Sequence, residues 1–379
     1  MTHSPPFWFC PDQVFDGQSL LTGMALCVQA DRISALRPIG DLHEGSKTQA
    51  ITGILTAGYL DLQVNGGGGA LVNNDPSAEA MQTIAAAHRP LGTVGVLPTV
   101  ITDAPEILAA AVDAAIGAKG KQGILGLHIE GPHISLPRRG THAADFVRPL
   151  DRTTIAHIAR LRTNGVTVKI TLAPEAVQTG QIAELVAMGA IVSLGHSDAT
   201  AEAVQMALAE GASCFTHLYN AMSPMLGRAP GVTGAAITSE GYCGFICDGH
   251  HVADAMLGLA IRARPVTDRM FLVSDAMATV GGGDRFQLYG QEIRLINGKL
   301  VNAEGALAGA HVTMAEGVAR LVRVLGIAPE AALRMAVTVP AAVIGAPELA
   351  QIVGRRLDDL LVLGADMMPV RVGLQAPRT

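Results

Sequence analysis

Four short apolar runs each end in a residue able to bind a metal or move a proton. Leu125-Gly126-Leu127-His128-Ile129-Glu130 ends in Glu130, and Ala190-Ile191-Val192-Ser193-Leu194-Gly195-His196 in His196. Cys214-Phe215-Thr216-His217 ends in His217, and Phe271-Leu272-Val273-Ser274-Asp275 in Asp275. Glu130, His196 and His217 form a carboxylate–imidazole set suited to a divalent catalytic ion with one position left for water. Such an ion lowers the pKa of water towards neutrality and readies it for attack on a carbonyl. Asp275 supplies a second carboxylate able to accept that water's proton. A single His or Glu at a strand end is ordinarily a polar cap at a loop junction, but four complementary groups on four runs favour a shared site. His128, two residues before Glu130, faces the same way. It sits deeper, where a supporting hydrogen bond suits it better than ligation.

Strand ends must converge for these groups to meet. From about Gly53, short apolar runs alternate with Ala-rich helical stretches. The runs fall at about Ile54–Asp61, Val94–Thr99, Ile124–Glu130, Val168–Leu172, Ile191–His196, Cys214–His217, Gly244–Asp248 and Phe271–Asp275. Helix signals lie between them: Asp75-Pro76 as N-cap and first helical residue, with Gly92 as a stop, and a stretch from Asp151 closed by Gly165. Strands alternating with helices imply parallel βαβ units, and eight units a closed barrel whose C-terminal strand ends share one mouth. An open doubly wound sheet is the competitor, but its nucleotide fingerprint is missing. The first fifty residues read as β-rich, with Met24–Gln29 and Arg32–Leu36 between Gly and Asp turns, and Val353–Val372 returns to short β-like runs. The expected fold is therefore α/β, a (β/α)₈ TIM-type barrel over 53–345, with a small β-sandwich-like domain built from 1–52 plus 346–379. The sequence after the last barrel strand is irregular, then predicts helices around Thr313–Leu325 and Pro329–Val337.

The glycine run Asn65-Gly66-Gly67-Gly68-Gly69 lacks the Gly-Lys-Ser/Thr ending of a phosphate loop. It reads as a flexible loop at the barrel mouth, and Gly281-Gly282-Gly283 as a mobile or merely disordered connection. His88 is expected at the surface. Of the 379 residues 49% are apolar and 16% charged, with a net charge of -6, which allows a large core and argues against a nucleic-acid partner. Five cysteines without a Cys-x-x-Cys pair suggest reduced thiols. Met1–Cys10 carries no Lys or Arg and makes a poor signal peptide, and no apolar run reaches membrane-spanning length. A cytoplasmic protein without membrane partners is the expectation.

Taken together, Asp61-Leu62-Gln63-Val64-Asn65-Gly66, His128-Ile129-Glu130-Gly131-Pro132, Gly140-Thr141-His142, Gly195-His196-Ser197, His217-Leu218-Tyr219-Asn220-Ala221-Met222 and Ser274-Asp275-Ala276 resemble the N-acetylglucosamine-6-phosphate deacetylases of the amidohydrolase superfamily in order and spacing. The resemblance implies hydrolysis of N-acetylglucosamine 6-phosphate to glucosamine 6-phosphate and acetate. It implies that Glu130, His196 and His217 bind the metal and that Asp275 acts as general base and then general acid. His142 would polarise the acetamide oxygen, and Thr141 would share its substrate loop. The phosphate would meet Asn220, Ala221 and Arg228. His251 would reach it across a homodimer interface, with Asp248, Gly249 and His250 around it. Leu307, Ala308 and Gly309 match a backbone contact to the sugar, and His311 follows where a small polar residue is expected. Many superfamily members carry His-x-His after the first strand for a second metal. Here those positions are Gln63 and Asn65, whose neutral amides are poor ligands, although Gln63 could orient the water. One divalent ion per subunit follows, Zn²⁺ first, with Fe²⁺, Co²⁺ and Mn²⁺ also suited. Lys169, at the start of the fourth run, reads as an ordinary snorkelling lysine.

Two other readings stay open at this level. One is a deacetylase or amidase for a related amino sugar. The other is a catalytically silent sugar-phosphate-binding regulator, which the intact Asp275 and metal set argue against.

Overall fold

A computed structural model describes residues 7–303, 305, 307–371, 373 and 374. Eight parallel strands pair in chain order: β1 (Tyr59–Val64), β2 (Thr93–Ile101), β3 (Gly126–Glu130), β4 (Thr167–Leu172), β5 (Ile191–Leu194), β6 (Cys214–Phe215), β7 (Tyr242–Phe245) and β8 (Met270–Leu272). Between β8 and β1 the ring closes by other means. Asp275 N donates to Gln63 O at 3.0 Å. The buried Asp61 carboxylate accepts from Ser274 N at 3.2 Å and from Gln63 N at 3.2 Å. Burial raises the Asp61 pKa to about 7, against the pull of these donors.

Alternation along each strand sorts the side chains. Leu127, Ile129, Val168, Ile170, Val192 and Leu194 face outward into one apolar layer shared with the surrounding helices. Their neighbours His128, Glu130, Lys169, Thr171 and Ser193 face the barrel interior and are equally buried. Each large apolar side chain in that layer contributes roughly 1.5–3 kcal/mol. Helix starts follow short polar caps. Ser77, Asp151 and Thr200 accept from Ala80 N, Thr154 N and Ala203 N at the heads of α1 (Ala78–His88), the helix Arg152–Thr163 and the helix Ala201–Ala209. The first helix therefore begins after Pro76, with Ser77 rather than Asp75 as its cap. Gly92, in the left-handed region at φ 102°, ends the short turn that follows it.

Both chain ends meet in one seven-stranded sheet, where Leu360–Leu363 pairs with Lys47–Ala57, which runs beside Phe7–Phe15. The stretch 54–57 belongs to this sheet, and the first barrel strand starts at Tyr59. The irregular stretch after β8 is a second sheet of four antiparallel strands, Arg285–Leu288, Gln291–Ile296, Lys299–Val301 and Leu307–Ala310. Its first two turns are Tyr289-Gly290 and Asn297-Gly298, all at positive φ. Among the described residues, no helix is long and apolar enough to cross a membrane.

Candidate active site

The strands deliver their terminal groups to one mouth, and the backbone turns sharply as it does so. His196, His217 and Asp275 sit at φ 47°, 32° and 52°, a region L-residues rarely adopt and which functional sites often hold under strain. Gly195 makes room for the turn at His196, since a Cβ there would stand 2.9 Å from the Thr216 side chain. Glu130 Oε1 lies 3.3 Å from His196 Nε2 and 3.0 Å from His217 Nε2, and the two nitrogens are 3.0 Å apart. His196 Nδ1 is 2.9 Å from the Arg138 carbonyl, which can only accept. With Nδ1 donating to that carbonyl, Nε2 is the nitrogen that faces the other two atoms. Three electron-rich atoms so close together fit a common cation. His142 stands beside them, its ring centroid 4.4 Å from that of His196. A ligand atom of His142 lies within 4.8 Å of those of Glu130 and His196. Glu130, His196 and His217 converge more tightly, at 3.0–3.3 Å.

Burial raises the pKa of Asp275, and the Glu130 charge adds to it, while His217, His251 and Asn65 oppose the rise. For Glu130 burial alone would do the same, but hydrogen bonds and charge from His196 and His217 outweigh it and hold the carboxyl well below its usual range. Burial pushes His142 down to about 3, with neighbouring His196 adding to it, so its ring is neutral. Gln63 is tied to both carboxylates of the site. Its Nε2 donates to both Glu130 oxygens at 3.0 and 3.1 Å and to Asp275 Oδ1 at 3.1 Å. Among the described residues the buried amide oxygens of Gln63 and Asn65 meet no protein donor, which leaves two acceptors at the centre.

Below this level lies a fully buried polar chain. His128 joins Thr99 through Nδ1 at 3.1 Å and Thr171 through Nε2 at 2.7 Å. Thr171 meets Thr216, which meets Ser193. Lys169 belongs here, with no exposure and its Nζ 3.4 Å from His128 Nε2. It does not snorkel to solvent, because its register opposite His128 turns it into the barrel. Burial lowers its pKa, against the pull of Cys214, Glu130, Asp275 and Asp61. His88 is also buried rather than superficial, bound through Nε2 to Gly66 O at 2.9 Å. Nor is the glycine run a loose loop. Gly66–Gly67 pairs with Ala70–Leu71, and a Cβ at Gly66 would lie 2.7 Å from Ala278 N. The second run packs on the first, with a Cβ at Gly282 only 2.6 Å from Gly69 N.

The cavity over the centre is lined by Thr141 and His142 on one side and by Asn220, Ala221 and His251 on another, with Leu307 and Gly309 from the four-stranded sheet. His251 therefore lines the pocket of its own chain. Its Nδ1 is 2.6 Å from Asp248 Oδ2, and Asp248 Oδ1 takes the backbone N–H groups of His250 and His251, which fixes the ring. These bonds and the His251 charge outweigh burial and hold Asp248 well below the ordinary carboxylate range. His250 is exposed, and Gly249 packs against the Arg320 guanidinium. Ala308 is buried behind its strand, and His311 Nδ1 meets Thr279 Oγ1 at 2.9 Å. Arg228 does not line the cavity and is exposed on the segment 224–230.

No protein-family model matches the chain. It is 42% identical over 325 residues to an N-acetylgalactosamine-6-phosphate deacetylase of Shewanella sp. (strain ANA-3), covering 85% of this chain and 82% of that one. With the N-acetylglucosamine-6-phosphate deacetylase of Haemophilus influenzae it shares 34% over 340 residues, 88% of each chain. The crystal structure of N-acetylglucosamine-6-phosphate deacetylase from Pasteurella multocida superposes with a TM-score of 0.89 at 36% identity, over 96% of this chain and 97% of that one. A Mycobacterium smegmatis mutant in complex with N-acetyl-D-glucosamine-6-phosphate superposes at 0.86 with 28% identity, over 97% of both chains.

Proposed function

Since this chain belongs to the N-acetylglucosamine-6-phosphate deacetylase family of the amidohydrolase superfamily, we propose that it hydrolyses N-acetylglucosamine 6-phosphate to glucosamine 6-phosphate and acetate. The observation that carries this is the convergence of Glu130, His196 and His217 beneath a pocket that also holds Asp275 and His142. A divalent ion, Zn²⁺ in our reading, would be held by Glu130, His196 and His217 and would supply an acidified water and a Lewis-acidic centre. Asp275 takes a proton from the attacking water and returns it to the departing amine. His142, neutral and aimed into the pocket, donates to the acetamide oxygen as charge builds there. Gln63 and Asn65 hold the Asp275 carboxylate in place. Asn220, Ala221 and His251 are the phosphate contacts we assign, with Thr141, Leu307 and Gly309 against the sugar. The free cysteines suit the cytoplasm.

We also propose a homodimer, with Arg228 on the contacting face. Arg228 sits beside Met225 and Leu226, which are 43% and 59% exposed, and an exposed apolar segment of this kind favours a protein contact. We therefore assign the role of crossing to a partner's phosphate site to Arg228 instead of His251.

A second reading, deacetylation of N-acetylgalactosamine 6-phosphate, is favoured by the 42% identity to the Shewanella enzyme. Acetate release from both sugars, each with and without its 6-phosphate, separates the readings. Preference for the galacto-sugar supports the second, and no release from any of them overturns both.

A further inference from the structure

Two neighbouring histidines in this site face opposite partners. His196 Nδ1 meets a backbone carbonyl, Arg138 O, at 2.9 Å. His142 Nδ1 meets a hydroxyl, Thr102 Oγ1, at 2.8 Å. A carbonyl can only accept, so His196 carries a hydrogen on Nδ1, and Nε2 is the nitrogen turned towards Glu130 and His217. A hydroxyl can donate. Thr102 is fully buried just beyond the end of β2, and among the described residues His142 Nδ1 is the hydrogen-bond partner of its hydroxyl. If Nδ1 carried the proton, that hydroxyl hydrogen would be buried without an acceptor, a state folded proteins avoid.

We infer that Thr102 is a positioning residue that fixes the tautomer of His142. Its hydroxyl donates to Nδ1, so Nε2 carries the hydrogen and points it into the pocket. This rests on the role proposed above for His142. One consequence is that His142 donates to the acetamide oxygen. The other is that it cannot ligate through Nε2, although a ligand atom of His142 lies within 4.8 Å of those of Glu130 and His196. Adjacent imidazoles are thus sorted into ligand and donor by what their Nδ1 atoms touch. The Thr102 hydroxyl is tightly enclosed, since a Cβ at Gly131 would lie 2.2 Å from Oγ1. Its backbone is clamped as well, because Tyr289 Oη, from the first turn of the four-stranded sheet, donates to Thr102 O.

The test has a spectroscopic and a kinetic arm. In zinc-loaded protein with ¹⁵N-labelled histidine, the His142 signals are assigned by their loss in His142→Asn. The expected spectrum shows an unprotonated Nδ1 and a protonated Nε2. A protonated Nδ1 overturns the inference, and this measurement needs no Thr102 variant to fold. Thr102→Val keeps the shape and removes the donor. It should lower kcat roughly 10–100-fold, with KM and bound metal near their wild-type values, and Thr102→Ser should restore most of the loss. Wild-type kcat in folded, metal-loaded Thr102→Val overturns the inference alone. Wild-type kcat in His142→Asn overturns the role of His142 itself, and the inference with it.

Discussion

Asn65 Nδ2 donates to Asp275 Oδ1 at 2.7 Å, joining the two residues that follow the seam between the first and last barrel strands. The bond favours the ionised carboxylate, against burial and the nearby Glu130 charge, which raise its pKa. Loss of the donor must therefore raise that pKa further. Asn65→Ala should shift the acid limb of the kcat/KM–pH profile to higher pH, by up to about one to two units for a hydrogen bond to a charged group. An unmoved limb would separate Asn65 from the general base.

Asp275→Asn replaces the carboxylate with a group of equal size that cannot take a proton. Glu130, His196 and His217 are untouched, so metal content should stay at the wild-type level. Turnover should fall ~10²–10⁴-fold, the usual range for general acid–base catalysis. Near-normal turnover would remove Asp275 from the mechanism.

The arrangement of Gln63 and Asn65 bears on metal count. Both amide nitrogens point at carboxylate oxygens and act as donors, doing by hydrogen bonds what a second cation would do by charge. One tightly held divalent ion per chain is expected from elemental analysis, located by anomalous scattering between Glu130, His196 and His217. Two full sites, one ligated by Gln63 or Asn65, would contradict this.

Much of the site was legible because barrel strands carry an unusual signal: apolar runs that stop at a histidine or a carboxylate. Glu130, His196, His217 and Asp275 all stand where that pattern places them. The period of two also held the fate of Lys169, since it shares the interior-facing register of Thr171, but the habit of charged side chains to reach solvent obscured it. The glycine run misled for the opposite reason. Glycines read as freedom, whereas here the missing side chains allow backbone to pack within van der Waals contact of backbone. Asn297-Gly298 is a hairpin signal that marks the four-stranded sheet, and the short strands around it hid the rest. No spacing in one chain encodes which subunit a side chain serves, so the exchange of roles between His251 and Arg228 is proposed from where each stands relative to the pocket.

Their exchange can be tested by subunit mixing. His251 lines the same pocket as Asp275, whereas Arg228 lies outside it. His251→Asn should weaken use of a 6-phosphorylated sugar about ten- to a hundredfold in kcat/KM, the equivalent of a charge-assisted hydrogen bond of roughly 1.5–3 kcal/mol. The unphosphorylated sugar should be affected far less. Arg228→Ala should show the same selectivity, since its guanidinium fork matches phosphate oxygens. The two variants part company when each is mixed with Asp275→Asn. In a mixed dimer of Asp275→Asn and Arg228→Ala chains, one pocket has a native Asp275 from its own chain and a native Arg228 from the other, so activity should return. In a mixed dimer of Asp275→Asn and His251→Asn chains, each pocket keeps one defect, and no such return is expected. Recovery in the second mixture but not the first, with subunit exchange established, would restore His251 as the residue that crosses.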